Sequence, residues 1–142
     1  MPKTSTTNTP IQTKPTKIIE VGKFYLIHDG SPSGHPGLII WKDDNANLYL
    51  AIKFGTTSNK ENTEFKYPIG QNTENSYYYK RLFLGKRKDF GSNELTQLSI
   101  QSDDIKYLIS TMNYLNPVYS KNIKSNSKHL YKLIIKNVTD RP

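Results

Sequence analysis

The chain has 142 residues, a mass of 16.3 kDa and Lys+Arg 20 against Asp+Glu 12, which gives a net charge of +8 and a pI near 9.5. That length favours one domain, and the lack of any apolar run of about eighteen residues predicts no membrane-spanning helix. Zero Cys excludes a disulfide scaffold, a thiolate zinc site and a Cys nucleophile.

Residues 1–17 are Thr-rich, with three Lys and the single aliphatic side chain of Ile11. The segment is basic but has no apolar core, so it does not read as a secretory signal. It buries too little to offset ordering entropy and reads as a disordered arm, either passive or in contact with phosphate. These features and the lack of Cys fit a cytoplasmic protein.

The folded domain is expected over 18–138. Ile18–His28 reads as an opening strand containing a Gly, followed by the Gly/Pro-rich loop Asp29–Pro36. Gly37–Lys42 (GLIIWK) reads as a buried strand. Asp43–Asn47 has the composition of a hairpin turn. The chain then returns as Leu48–Phe54, with Leu48, Leu50, Ile52 and Phe54 on one face and Tyr49, Ala51 and Lys53 on the other. Gly55–Asn62 is a polar loop. Thr63–Ile69 and Tyr77–Leu84 are further strand candidates, the first limited by Pro68.

From Ser102 the period changes. Ser102 as N-cap, with Asp103 and Asp104 in the first turn, opens a helix. Its apolar stripe is Ile105, Leu108, Ile109, Met112 and Leu115, and Asn116-Pro117 ends it. A second helix is expected over about Ser125–Val138, with Leu130, Leu133, Ile134 and Val138 as its stripe. The predicted class is α+β: a small, partly closed SH3-like β-barrel of about five strands followed by two C-terminal helices.

Charge is clustered. KRLFLGKRK places Lys80, Arg81, Lys86, Arg87 and Lys88 within nine residues, next to Tyr77–Tyr79. Lys121, Lys124, Lys128, Lys132 and Lys136 recur every three or four residues, and no acid lies between Asp104 and Asp140. The Lys row reads equally as a solvated helix face. Cations interleaved with aromatics suit phosphate contact with base stacking. A polarised surplus of this kind is harder to ascribe to codon drift than a diffuse one, and it points to a nucleic-acid partner.

The catalytic inventory is short. His28, His35 and His129 and the carboxylates show no HxxxH or ExxH-type spacing, so no metal site is predicted. GSPSGHPG is neither GxGxxG nor a Walker motif, and no G-x-S-x-G elbow occurs. What remains is a pair of loops. If the DDNAN hairpin pairs its strands, the outer ends bring His35 near Thr56, Thr57, Ser58 and Lys60. An imidazole can take a proton, and hydroxyls with cations can stabilise a pentavalent phosphate. RNA carries its own nucleophile, the 2′-OH.

The order of these elements resembles the PemK/MazF family of toxin ribonucleases. Val21–Tyr25 looks like its opening strand, Gly34–Ile40 (GHPGLII) its loop-to-strand motif and Ile52–Lys60 (IKFGTTSNK) its strand-end motif. Ser76–Phe90 and Leu98–Leu115 look like its fourth segment and closing helix. The resemblance implies an SH3-like barrel, a homodimer, metal- and cofactor-free cleavage of single-stranded RNA, and inhibition by a cognate antitoxin. It places His35 and Thr57 or Thr56 in catalysis. Ser58, Lys60, Lys80, Arg81, Lys86, Arg87 and Lys88 would hold RNA phosphate. The family's Arg before Pro is absent, since His35 abuts Pro36 directly, so its role would pass to His35, Lys60 or Arg81. Two alternatives stand beside this one: a non-catalytic nucleic-acid-binding barrel, and a CcdB-like or phage-encoded inhibitor of another protein.

Overall fold

The hairpin at Asp43–Asn47 organises the sheet. Asn47 takes the left-handed conformation (φ 57) that Asn tolerates. The Ala46 amide donates to Asp43 Oδ1 (3.1 Å), and the Tyr49 hydroxyl donates to Asp44 Oδ1 (2.8 Å). A computed structural model of the chain describes residues 18–56, 62–64, 69–70, 76–124 and 128–140. The arm 1–17 and the predicted site residues Thr57, Ser58 and Lys60 lie outside the described residues.

In chain order the elements are β1 (Phe24–Ile27), β2 (His35–Asp43), β3 (Leu48–Gly55), β4 (Asn62–Glu64), β5 (Tyr77–Tyr79), β6 (Arg81–Gly85), a 3₁₀ turn (Arg87–Asp89), β7 (Phe90–Glu94), α1 (Ser102–Thr111), β8 (Asn113–Tyr119) and α2 (Lys128–Thr139). The class is α+β. The strands run β4-β5-β3-β2-β1-β7, and β6 pairs with β3 on one side and β8 on the other. Among the described residues all pairings are antiparallel except β6 with β8, so the sheet is mixed, and it is not closed.

The period-2 pattern of β3 divides the core as its sequence predicts. Leu48, Leu50, Ile52 and Phe54 enter the larger cluster, which also takes Leu108 and Met112 from the α1 region and Tyr131, Ile134 and Val138 from α2. Tyr49 and Ala51 enter a second cluster on the opposite face, with Tyr25, Ile27, Ile39, Phe83 and Phe90. Burial on both faces explains why β3 is apolar almost throughout.

Several expectations are corrected. The opening strand is only Phe24–Ile27, because Gly22 turns at φ 87 before it. The Tyr77–Leu84 segment is two strands: a bend at Lys80 lets Tyr77 and Tyr78 pair with Gly55 and Phe54, while Phe83–Gly85 pair further along β3 with Ala51–Tyr49. At the candidate Thr63–Ile69 a short strand spans Asn62–Glu64, and residues 65–68 lie outside the described residues.

The expected order of five strands and then two helices fails, because β8 lies between the helices. α1 stops at Thr111. Met112 is extended, and the Asn113 amide donates to the Lys80 carbonyl (2.8 Å), which draws the chain onto β6. The Ser110 and Thr111 hydroxyls donate to carbonyls three residues back, a competition that loosens a helix end. Leu115, assigned to the helical stripe, is 96% exposed on β8. Pro117 is tolerated because β8 has a partner on one side only among the described residues. Gln101, not Ser102, is the cap residue of α1, although Asp103 and Asp104 occupy the first turn as expected. In α2 the core-facing residues are Tyr131, Ile134 and Val138, and Leu130 and Leu133 are exposed. Lys121 and Lys124 precede α2, so the five lysines do not share one helix.

Candidate active site

The loop between β1 and β2 builds the site. Ile27 pairs with His35, so the chain must leave and return within seven residues. Asp29 begins this loop and folds it back. The amide and hydroxyl of Ser31 both donate to Asp29 Oδ1 (3.2 and 2.7 Å), an Asx-type turn. Gly34 then delivers His35 into β2 with φ +68, and a Cβ there would lie 2.6 Å from the Ile27 carbonyl oxygen. Gly34→Ala is therefore expected to cost about 1–3 kcal/mol. Gly30→Ala, at φ +91 but in open space, should cost less; equal melting temperatures for the two variants would contradict this packing.

The second oxygen of Asp29 gathers two cationic or titratable groups. His35 Nδ1 lies 2.7 Å and Lys53 Nζ 3.1 Å from Asp29 Oδ2. Lys53 projects from β3, where it pairs with Gly37. Its ammonium lies 4.4 Å from the centre of the Tyr79 ring, and that ring meets His35 edge-on at 5.9 Å. Burial pushes the Asp29 carboxyl up, but the hydrogen bonds from Ser31 and Lys53 outweigh it and hold the group well below the usual carboxylate range.

An ionised carboxylate only accepts hydrogen bonds. In the neutral imidazole, the proton of His35 therefore sits on Nδ1 and Nε2 keeps its lone pair. A carboxylate behind the ring fixes its tautomer and steadies the imidazolium formed when Nε2 takes a proton. The shift also predicts acid sensitivity. Because the native pKa lies below the unfolded value of about 3.9, the contribution of Asp29 is complete above that value and is lost as pH falls through the native one. Wild type should be more stable than Asp29→Asn at pH 7, and the gap should begin to narrow only below about pH 4. A gap that persists in acid would contradict the assignment.

His35 opens on a cleft of about 480 Å³ whose lining includes Ser33, Gly34, Pro36, Thr56 and Tyr79. His35 and Thr56 are thus brought together, as the hairpin argument predicts. Among the predicted phosphate contacts, Lys88 lines a neighbouring groove. Lys80 is exposed, and its backbone carbonyl accepts from the Asn113 amide. The Arg81 guanidinium donates to the carbonyls of Asn116 (2.7 Å) and Pro117 (3.4 Å), which ties β6 to β8. The Lys86 amide donates to Asp89 Oδ2 (2.7 Å). Arg87 Nη1 donates to the carbonyls of Phe90 (3.3 Å) and Gly91 (3.1 Å).

Asp29 and Lys53 were not singled out from sequence, whereas Tyr79 was read with Tyr77 and Tyr78 as a base-stacking neighbour of the cations. The signal for Asp29 was its place six residues before His35 in a loop between paired strands. Lys53 was the one charged residue in an otherwise apolar β3. Comparisons with protein-family models, curated proteins and solved structures give no match.

Proposed function

We propose that this protein cleaves single-stranded RNA by attack of the RNA's own 2′-hydroxyl, as the toxin of a toxin–antitoxin pair built on an SH3-like barrel of the PemK/MazF kind. The observation that carries the proposal is the Asp29–His35–Lys53 cluster, whose His35 lines the cleft together with Thr56. His35 Nε2 takes the proton of the 2′-OH. The O2′–P bond forms as the P–O5′ bond breaks, and the leaving O5′ takes a proton from water. The Lys53 ammonium and the Thr56 hydroxyl offset charge on the phosphorane. Lys53 thereby supplies the cation expected of the missing Arg before Pro36.

The barrel reading draws support from the second core cluster. Tyr25 and Ile27 of β1, Ile39 of β2, Tyr49 and Ala51 of β3, Phe83 of β6 and Phe90 of β7 meet in it, and β7 pairs back onto β1. Five strands around one small core is the arrangement an SH3-like barrel needs. The toxin assignment rests on the motifs at Gly34–Ile40 and Ile52–Lys60, and with it come a cytoplasmic setting, a homodimer and an antitoxin partner. An oligoribonucleotide with one 2′-deoxy residue tests the chemistry. Cleavage should stop at the substituted position and continue elsewhere; cleavage that tolerates the substitution would overturn the reading.

A further inference from the structure

The Asp29–Gly34 loop has a second groove beside the His35 cleft. The two meet at Leu26, Ser33 and Gly34, and the second, of about 790 Å³, is lined among others by His28, Lys88, Asp89 and Lys121. The one carboxylate among its described lining residues is turned inward. Asp89 is 4% exposed; its Oδ2 accepts from the Ser120 hydroxyl (2.6 Å) and the Lys86 amide (2.7 Å), and its Oδ1 accepts from Asn122 Nδ2 (2.6 Å).

This network binds the 3₁₀ turn to the segment after β8. Lys88, just before Asp89, and Lys121, just after Ser120, therefore face one groove although they are far apart in sequence. Both are exposed, and neither forms an ion pair among the described residues. Two uncompensated ammonium groups in a concave surface that runs into a cleft suited to phosphate chemistry complement a polyanion.

We infer that this groove is a second phosphate-binding subsite, which carries the RNA strand from the His35 cleft past Ser33 and Gly34 onto Lys88 and Lys121. The identity of the strand rests on the function proposed above. A strand occupying both clefts must bend around the loop, which a single strand does readily and a stiff duplex does not.

The test uses the full chain and a fluorescent 2′-O-methyl RNA oligonucleotide, which cannot be cleaved through its 2′ position. Lys88→Gln/Lys121→Gln should bind it about tenfold or more weakly at low salt. The slope of log K against log salt should be shallower by about 1.4, from about 0.7 per phosphate contact. Both side chains are exposed, so an unchanged melting temperature shows that the double variant is folded. Unchanged affinity and slope would overturn the subsite. Cleavage of unmodified RNA by the wild-type protein in the same buffer reports separately on the enzyme. Cleavage with an unchanged slope keeps the enzyme and removes the subsite, and a shallower slope without cleavage does the reverse.

Discussion

His35→Ala is expected to lower the rate of RNA cleavage by about 10²- to 10⁴-fold, the usual contribution of a positioned general base. The effect should fall on kcat. The side chain is about a quarter exposed at the cleft mouth, so its removal leaves the fold in place and takes away the lone pair that accepts the 2′-OH proton. Asp29→Asn should have a smaller effect on rate, and of a different kind. Asn can still turn an oxygen toward Nδ1, but it no longer offsets the imidazolium charge, and it leaves Lys53 without its partner at 3.1 Å. An Asp29→Asn rate equal to that of wild type would contradict a role for the carboxylate behind the ring.

Asp89→Ala is expected to cost the largest share of stability, about 3 to 5 kcal/mol. Its carboxylate accepts from a hydroxyl, a side-chain amide and a backbone amide at 2.6 to 2.7 Å. Removing it leaves these donors without their acceptor in a largely buried site, and frees the segment after β8 from the 3₁₀ turn. Denaturant unfolding of the variant measures the loss directly. Ser120→Ala, which removes one donor, should lose about 1 kcal/mol. A loss below about 1 kcal/mol for Asp89→Ala would contradict the network.

The parts of the fold legible in the sequence are those with an unbroken period. β3 alternates over seven residues, and both of its faces are buried in the clusters its alternation predicts. The first turn of α1 was legible from its two acids, but its end was not. The apolar spacing runs on to Leu115, and only the pairing of Asn113 with Lys80 across the sheet shows where the helix must stop. β7 carries Gly91, Ser92 and Asn93 and gives no strand signal of its own. It forms because Phe90 fills the small core and β1 offers an open edge.

The site divides in the same way. His35 and Thr56 were legible because a hairpin turn fixes which strand ends meet. Asp29 and Lys53 were not, because their meeting depends on the register of a second pairing, that of β1 with β2. The arginines of KRLFLGKRK read as phosphate ligands by composition. In the fold, Arg81 donates to carbonyls in the middle of β8 and Arg87 to carbonyls at the start of β7. A guanidinium with several planar donors serves either purpose, and sequence alone does not distinguish them.

The central claim is that His35, held by Asp29, turns the 2′-hydroxyl of RNA against its own phosphate. The most direct measurement incubates wild-type protein and His35→Ala with single-stranded RNA in EDTA and identifies the new termini. Wild type should leave 2′,3′-cyclic phosphate and 5′-hydroxyl ends, and His35→Ala should leave almost none. Equal cleavage by the two proteins, or 5′-phosphate ends from either, would contradict it.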